Sequence, residues 1–66
     1  MKLADLRYSL HRTQTRLSEL SGVSVETISN VERGTHPPSI DTMVKISKAL
    51  GVGLEDIEEF KQRMRI

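Results

Sequence analysis

The segment Ser21-Gly22-Val23 separates two stretches of helical periodicity, and two short helices joined by a three- or four-residue turn containing glycine form a helix-turn-helix. In the second stretch Ile28 and Val31 stand three apart and claim the inward face, which leaves Val25, Glu26, Ser29 and Asn30 pointing outward. Those side-chain types can read base edges in a DNA groove. An asparagine amide can satisfy the donor and acceptor of one adenine edge together, a glutamate can accept from a cytosine amino group, and a valine can touch a thymine methyl. The same residues also make an ordinary solvated helix face, with Glu26 simply an acid favoured by the helix dipole. Lys2, Arg12, Arg16, Arg33 and His36 read as scattered charge or as a phosphate-facing side. All but Lys2 lie in or beside the helix pair, whereas the acids cluster in the last helix at Glu55, Asp56, Glu58 and Glu59, and this asymmetry favours the phosphate reading.

Enzyme chemistry finds little to work with. His11 and His36 are the only histidines and lack a two-histidine metal spacing, and the serines sit in no G-x-S-x-G context. The glycines form no phosphate loop. With no cysteine, the chain has no disulfide scaffold, thiolate zinc site or cysteine nucleophile. Catalytic residues, metal ligands and cofactors are therefore all assigned as none.

The elements that must position the outward residues are short. Sixty-six residues allow one small domain, spanning 1–66, and a chain this size buries only about 60% of the surface it exposes when unfolded. Hydrophobic residues make up 36% and charged residues 29%, enough apolar content to collapse. Ten basic against nine acidic residues neither demand nor exclude a nucleic-acid partner. No apolar run approaches a membrane span and no targeting signal is visible, so a soluble cytoplasmic chain without a membrane partner is expected.

Punctuation divides the chain into five helices. Leu3, Leu6 and Leu10 share one stripe of the first. Thr13 caps a second, from Gln14 to about Ser21, with Leu17 and Leu20 on its inner face and Gly22 as its stop. Val23 to Ile28 alternates like a strand. Ser24 as an N-cap, and Gly34 before Pro37-Pro38 as a stop, decide for a third helix from about Val25 to Arg33. A fourth begins after Ser39 with Ile40, Met43, Ile46, Ala49 and Leu50 buried, and ends at Gly51. Leu54, Ile57 and Phe60 give the last, with acids early and bases late as the dipole prefers. Gly53, having no side-chain acceptor, should start that helix weakly.

The residues Leu6-Arg7, Thr13-Gln14, Leu17-Ser18, Ser21-Gly22-Val23-Ser24, Thr27-Ile28-Ser29, Val31-Glu32-Arg33-Gly34, Pro38-Ser39, Ile46 to Val52 and Leu54-Glu55-Asp56, together and without a gap, resemble the Cro and lambda-repressor type, or XRE, helix-turn-helix family. The resemblance runs from about Leu3 to Ile57. It implies an all-α, compact five-helix lambda-repressor-like domain whose third helix enters the major groove of double-stranded DNA and presents Val25, Glu26, Ser29 and Asn30 to bases. It implies backbone contacts from Arg12, Thr13, Gln14, Arg16, Thr27, Arg33, Thr35 and His36, with Gln14 also bracing the recognition helix. It further implies an internal ion pair between Arg7 and Glu32. His11-Arg12 departs from the family's glycine and apolar residue, which puts the first interhelical turn in doubt.

The expected function is a prokaryotic or phage-derived transcriptional regulator, a repressor binding a palindromic operator as a homodimer. Val52, Leu54, Phe60 and Met64 are expected to form the dimer interface, unless they complete the monomer's own core. The rival reading is an antitoxin or adaptor that masks another protein, with DNA binding secondary.

Overall fold

The computed structural model describes residues 1–64, with side chains described through Lys61. Its elements are α1 (Leu3–Ser9), α2 (Gln14–Ser21), α3 (Val25–Arg33), α4 (Ile40–Leu50), a single 3-10 turn at Leu54–Asp56, and α5 (Glu58–Met64). No strand occurs among the described residues, so the fold is all-α with five helices.

The caps explain most of the boundaries. The side chains of Thr13, Ser24 and Ser39 accept hydrogen bonds from the backbone N–H groups of Arg16, Thr27 and Thr42, satisfying donors that the first helical turn leaves orphaned. Each such cap contributes about 1 kcal/mol. The turn of the helix pair needs a left-handed residue, and Gly22 supplies it at φ 76°. This ending forces the chain out of α2 and lets Ser24 cap α3 at once, so the alternating segment is helical from Val25 onward despite its β-branched content.

The core comprises Leu3, Leu17, Val23, Ile28, Val31, Met43, Ile46, Leu50, Ile57 and Phe60, with Leu6, Ala49, Val52 and Leu54 packed at its edge. Fully burying a side chain of this size contributes about 1.5–3 kcal/mol. α2 lies against both α3 and α4. Its inner face is Gln14, Leu17, Ser18 and Ser21 rather than Leu17 and Leu20, and Leu20 is exposed.

Other sequence expectations change for similar reasons. Leu10 is exposed because α1 stops at Ser9, and Arg7 takes the buried position one turn beyond Leu3. Ile40 is exposed because the first turn of α4 projects past the core. The last helix is broken: Ile57 is extended at φ −109° and ψ 117°, and the Glu58 N–H donates to the Met1 carbonyl at 2.9 Å, not to Leu54 four residues back. The weak start foreseen at Gly53 is offset from the other direction, because the Gly53 N–H donates to the Asp56 carboxylate at 2.9 Å.

The first interhelical turn keeps a glycine-like shape without glycine. His11 sits at φ 57°, with its N–H donating to the Tyr8 carbonyl and the Arg12 N–H donating to the Arg7 carbonyl, both at 3.0 Å. This closure is the Schellman ending of a helix, and a non-glycine residue there carries a steric cost. His11→Gly should therefore stabilise the domain by about 1 kcal/mol, raising the melting temperature by roughly 4–8 °C. Thermal unfolding followed by circular dichroism checks it. An unchanged or lower melting temperature would show that the histidine side chain offsets its own backbone strain.

Candidate nucleic-acid interface

The face that α3 can present is decided first by what holds α3 in place. Arg7 Nε donates to Glu32 Oε2 at 2.8 Å and Arg7 Nη2 to Glu32 Oε1 at 3.1 Å, a two-pronged pair between α1 and α3. The two side chains are only 5% and 9% exposed. The third prong of the guanidinium, Nη1, donates to the Arg12 carbonyl at 2.9 Å, and the Tyr8 ring lies 4.5 Å from the guanidinium carbon. Gln14 Nε2 adds a donor to Glu32 Oε1 at 3.0 Å. The Glu32 hydrogen bond pushes the Arg7 pKa up from its ordinary value, against the opposing effect of desolvation. Every buried side-chain polar atom among the described residues has a partner.

Glu32 thus gathers α1, the turn after it, and the start of α2 onto the last turn of α3. The Gln14 amide reaches α3 from the first position of α2. Motion of α3 about its own axis would break the Arg7 fork and the Gln14 bond together.

With Ile28 and Val31 buried, the opposite side of α3 carries Val25 and Glu26, both exposed, and Ser29 and Asn30, both half-buried. These four lie on one stripe of the helix, spaced by one and four residues. Thr27 stands at its edge, with its Oγ1 accepting a hydrogen bond from the Ser24 hydroxyl at 2.8 Å. Toward the end of the helix, Arg33 Nη2 donates to Asn30 Oδ1 at 2.9 Å, and the Thr35 hydroxyl lies 3.3 Å from the same oxygen.

The residues expected at the DNA backbone are spread around this stripe. Arg12, Thr13, Arg16, Arg33, Thr35 and His36 are exposed, while Gln14 and Thr27 are half-buried. Arg16 pairs with Glu19 at 3.1 Å, an exposed contact that water screens. The Thr13 oxygen is engaged as a cap, but its hydroxyl proton is not consumed by accepting. Beyond Arg33, Lys2, Lys61, Glu58 and Glu59 line an open groove of mixed charge, which suits no simple anion.

The expected dimer residues separate. Val52 and Leu54 are half-buried at the margin of the core, whereas Phe60 is wholly buried within the protomer and does not belong to an exposed face. Met64 falls among residues whose side chains lie outside the described part. Sequence periodicity missed Glu59, which accepts a hydrogen bond from the Leu3 N–H at 2.8 Å and so caps α1 from the other end of the chain. No local spacing signals such a contact. The Asn30 to Arg33 bond, by contrast, follows the i, i+3 rule and could have been read.

No helix among the described residues is long and apolar enough to cross a membrane. A helix-turn-helix family model matches residues 3–57. The chain is 34% identical over 56 residues to an uncharacterised HTH-type transcriptional regulator of Bacillus subtilis, an alignment covering 85% of each. It is 44% identical over 56 residues to another of Methanocaldococcus jannaschii, again covering 85% of each. A cryptic phage CTXphi transcriptional repressor of Vibrio cholerae is 27% identical over 56 residues, which cover 85% of this chain and half of that protein. No solved structure matches significantly.

The Arg7 and Glu32 pair generates a stability test. Removing one partner of a buried pair leaves the other charge uncompensated and costs about 3–5 kcal/mol, a large share of a small domain's stability. Glu32→Ala should unfold the domain, or nearly so, at room temperature. The paired change Arg7→Met with Glu32→Leu should cost much less, because neither charge is then stranded. Urea titration of the three proteins compares them, and a Glu32→Ala variant as stable as the parent would refute the stranded-charge argument.

Proposed function

The chain belongs to the helix-turn-helix family of transcriptional regulators, and from that membership we propose that it binds a specific duplex DNA site as a homodimer and represses the promoter it covers. The observation that carries the reading is the outward stripe of α3, Val25 with three polar side chains outside the core, on a helix fixed by a buried bidentate ion pair.

α3 enters the major groove with Val25 and Glu26 leading and Ser29 and Asn30 behind them. The start of α2 approaches the sugar–phosphate backbone, where its first-turn N–H groups and the exposed Arg12 and Arg16 side chains meet phosphate oxygens. Arg33, Thr35 and His36 meet the backbone at the other end of α3. Glu26 sits badly beside phosphate, so its natural partner is a cytosine amino group.

One recognition helix spans too few base pairs to define a site in a genome, and two protomers on paired half-sites multiply the discrimination. The half-buried Val52 and Leu54, beside the 3-10 turn, supply apolar surface for that contact. The phage repressor relative supports repression, which needs only occupancy of a promoter and no further domain.

Two variants separate docking from reading. The parent's binding constant should fall with salt at a log–log slope of about −0.9 for each neutralised phosphate. Arg12→Ala should weaken all duplexes alike and flatten that slope by about one phosphate's worth. Asn30→Ala should cost about 1–3 kcal/mol on the preferred site, little on random duplex, and leave the slope unchanged. Fluorescence anisotropy across a salt series measures each. A salt-independent affinity would defeat the phosphate assignment, and a bound site without twofold symmetry would defeat the dimer.

A further inference from the structure

The orientation of the Asn30 carboxamide is set by its own helix. Gly34 ends α3 in the left-handed region at φ 72°, and this ending folds the chain back so that the Thr35 N–H donates to the Asn30 backbone carbonyl at 3.1 Å. The Thr35 hydroxyl is thereby placed 3.3 Å from both Asn30 Oδ1 and that carbonyl, a donor shared between them. Arg33, one turn along the same face, donates Nη2 to Oδ1 at 2.9 Å. A guanidinium has only donors, so the amide oxygen must face it and the amide nitrogen must face away.

Asn30 Oδ1 accepts a full hydrogen bond from Arg33 at 2.9 Å, and the Thr35 hydroxyl, its one proton shared with the backbone carbonyl, crowds the same oxygen at 3.3 Å. Among the described residues nothing accepts from Nδ2. The expected bidentate pair with adenine needs both ends of the amide, because adenine shows an acceptor at N7 beside a donor at N6. That donor would find an oxygen already engaged. Guanine shows N7 and O6, two adjacent acceptors, and so suits an amide that offers only its N–H groups. Thymine offers one acceptor, and cytosine offers only a donor.

Resting on the DNA-binding reading above, we infer that Arg33 and Thr35 make Asn30 a donor-only reader, so that the base pair facing it is selected for guanine rather than adenine. Arg33 keeps further N–H groups for a phosphate, and the contact runs from backbone through Arg33 and Asn30 to the base. Arg33 and Thr35 are positioning residues in this contact, and only Asn30 touches the base.

The experiment selects duplexes from a random library with the full chain, with Asn30→Ala, and with the double variant Arg33→Met, Thr35→Val. Both substituted side chains in the double variant are exposed, so the fold is kept. The base pair whose preference is lost in Asn30→Ala identifies the position that Asn30 faces. There the parent should favour guanine over adenine by about tenfold, within the discrimination one good base contact supplies. The double variant should bind all duplexes more weakly and shift its preference at that one position to adenine, since Oδ1 is released. A parent that prefers adenine there, a double variant with the parent's ranking, or an Asn30→Ala variant that loses preference nowhere would overturn the inference while leaving DNA binding intact. Failure of the parent to enrich any duplex would instead overturn the DNA-binding reading, and the inference with it.

Discussion

A carboxylate on a side chain only 9% exposed must be met by donors, and the placement of Glu32 within the last turn of α3 imposes that demand on α1, the turn after it and α2. Arg7 answers with a fork from α1, and Gln14 answers from the first position of α2. The guanidinium in turn needs the Arg12 carbonyl, which ties the first interhelical turn into the same set. A buried pair of this kind adds little net stability over an apolar one, because desolvation consumes most of the attraction. Its directional contacts instead fix the rotation and height of α3. For the proposed reading of base edges by four outward side chains, that orientation matters more than additional burial.

α1 can serve as the anchor because it is fastened at both ends by contacts it does not make alone. Lys2 provides no side-chain cap, and Glu59 of α5 supplies one to the Leu3 N–H. The Met1 carbonyl takes the N–H of Glu58, and the N-terminal ammonium donates to the Asp56 carbonyl at 3.1 Å. The far end closes through the left-handed His11. Polar contacts between the two ends of the described chain therefore hold α1 at the angle from which Arg7 reaches Glu32. The break at Ile57 belongs to the same arrangement, since the hydrogen bond to Met1 replaces the one that would have continued the helix.

Local chemistry in the sequence carried the middle of the chain well. Thr13, Ser24 and Ser39 as caps, with glycine after each helix, mark α2, α3 and α4 where the structure has them. Periodicity failed where tertiary packing chose among apolar residues. Leu10, Leu20 and Ile40 have the right spacing for burial, yet a helix end, a serine face and a projecting first turn leave them exposed. Phe60 shows the reverse. It is wholly buried within its own protomer, in the same core cluster as Ile57, where the last helix is broken. The Arg7 and Glu32 pair could be expected only through family resemblance, since no spacing rule joins residues on different helices. The outward stripe of α3 was legible as a stripe, and the i, i+3 spacing of Asn30 and Arg33 with it, but the approach of Thr35 from beyond the helix end was not. A helical wheel assigns faces and says nothing of what Arg33 and Thr35 do to the Asn30 amide.

The proposed binding places α3, held by Glu32, in the major groove. Dimethyl sulphate methylation of the bound duplex tests it most directly, because guanine N7 reacts in the major groove and adenine N3 in the minor groove. Guanine N7 should be protected in two clusters about one helical turn apart, with adenine N3 reactivity unchanged. Protection confined to adenine N3, or uniform along the duplex, would contradict it.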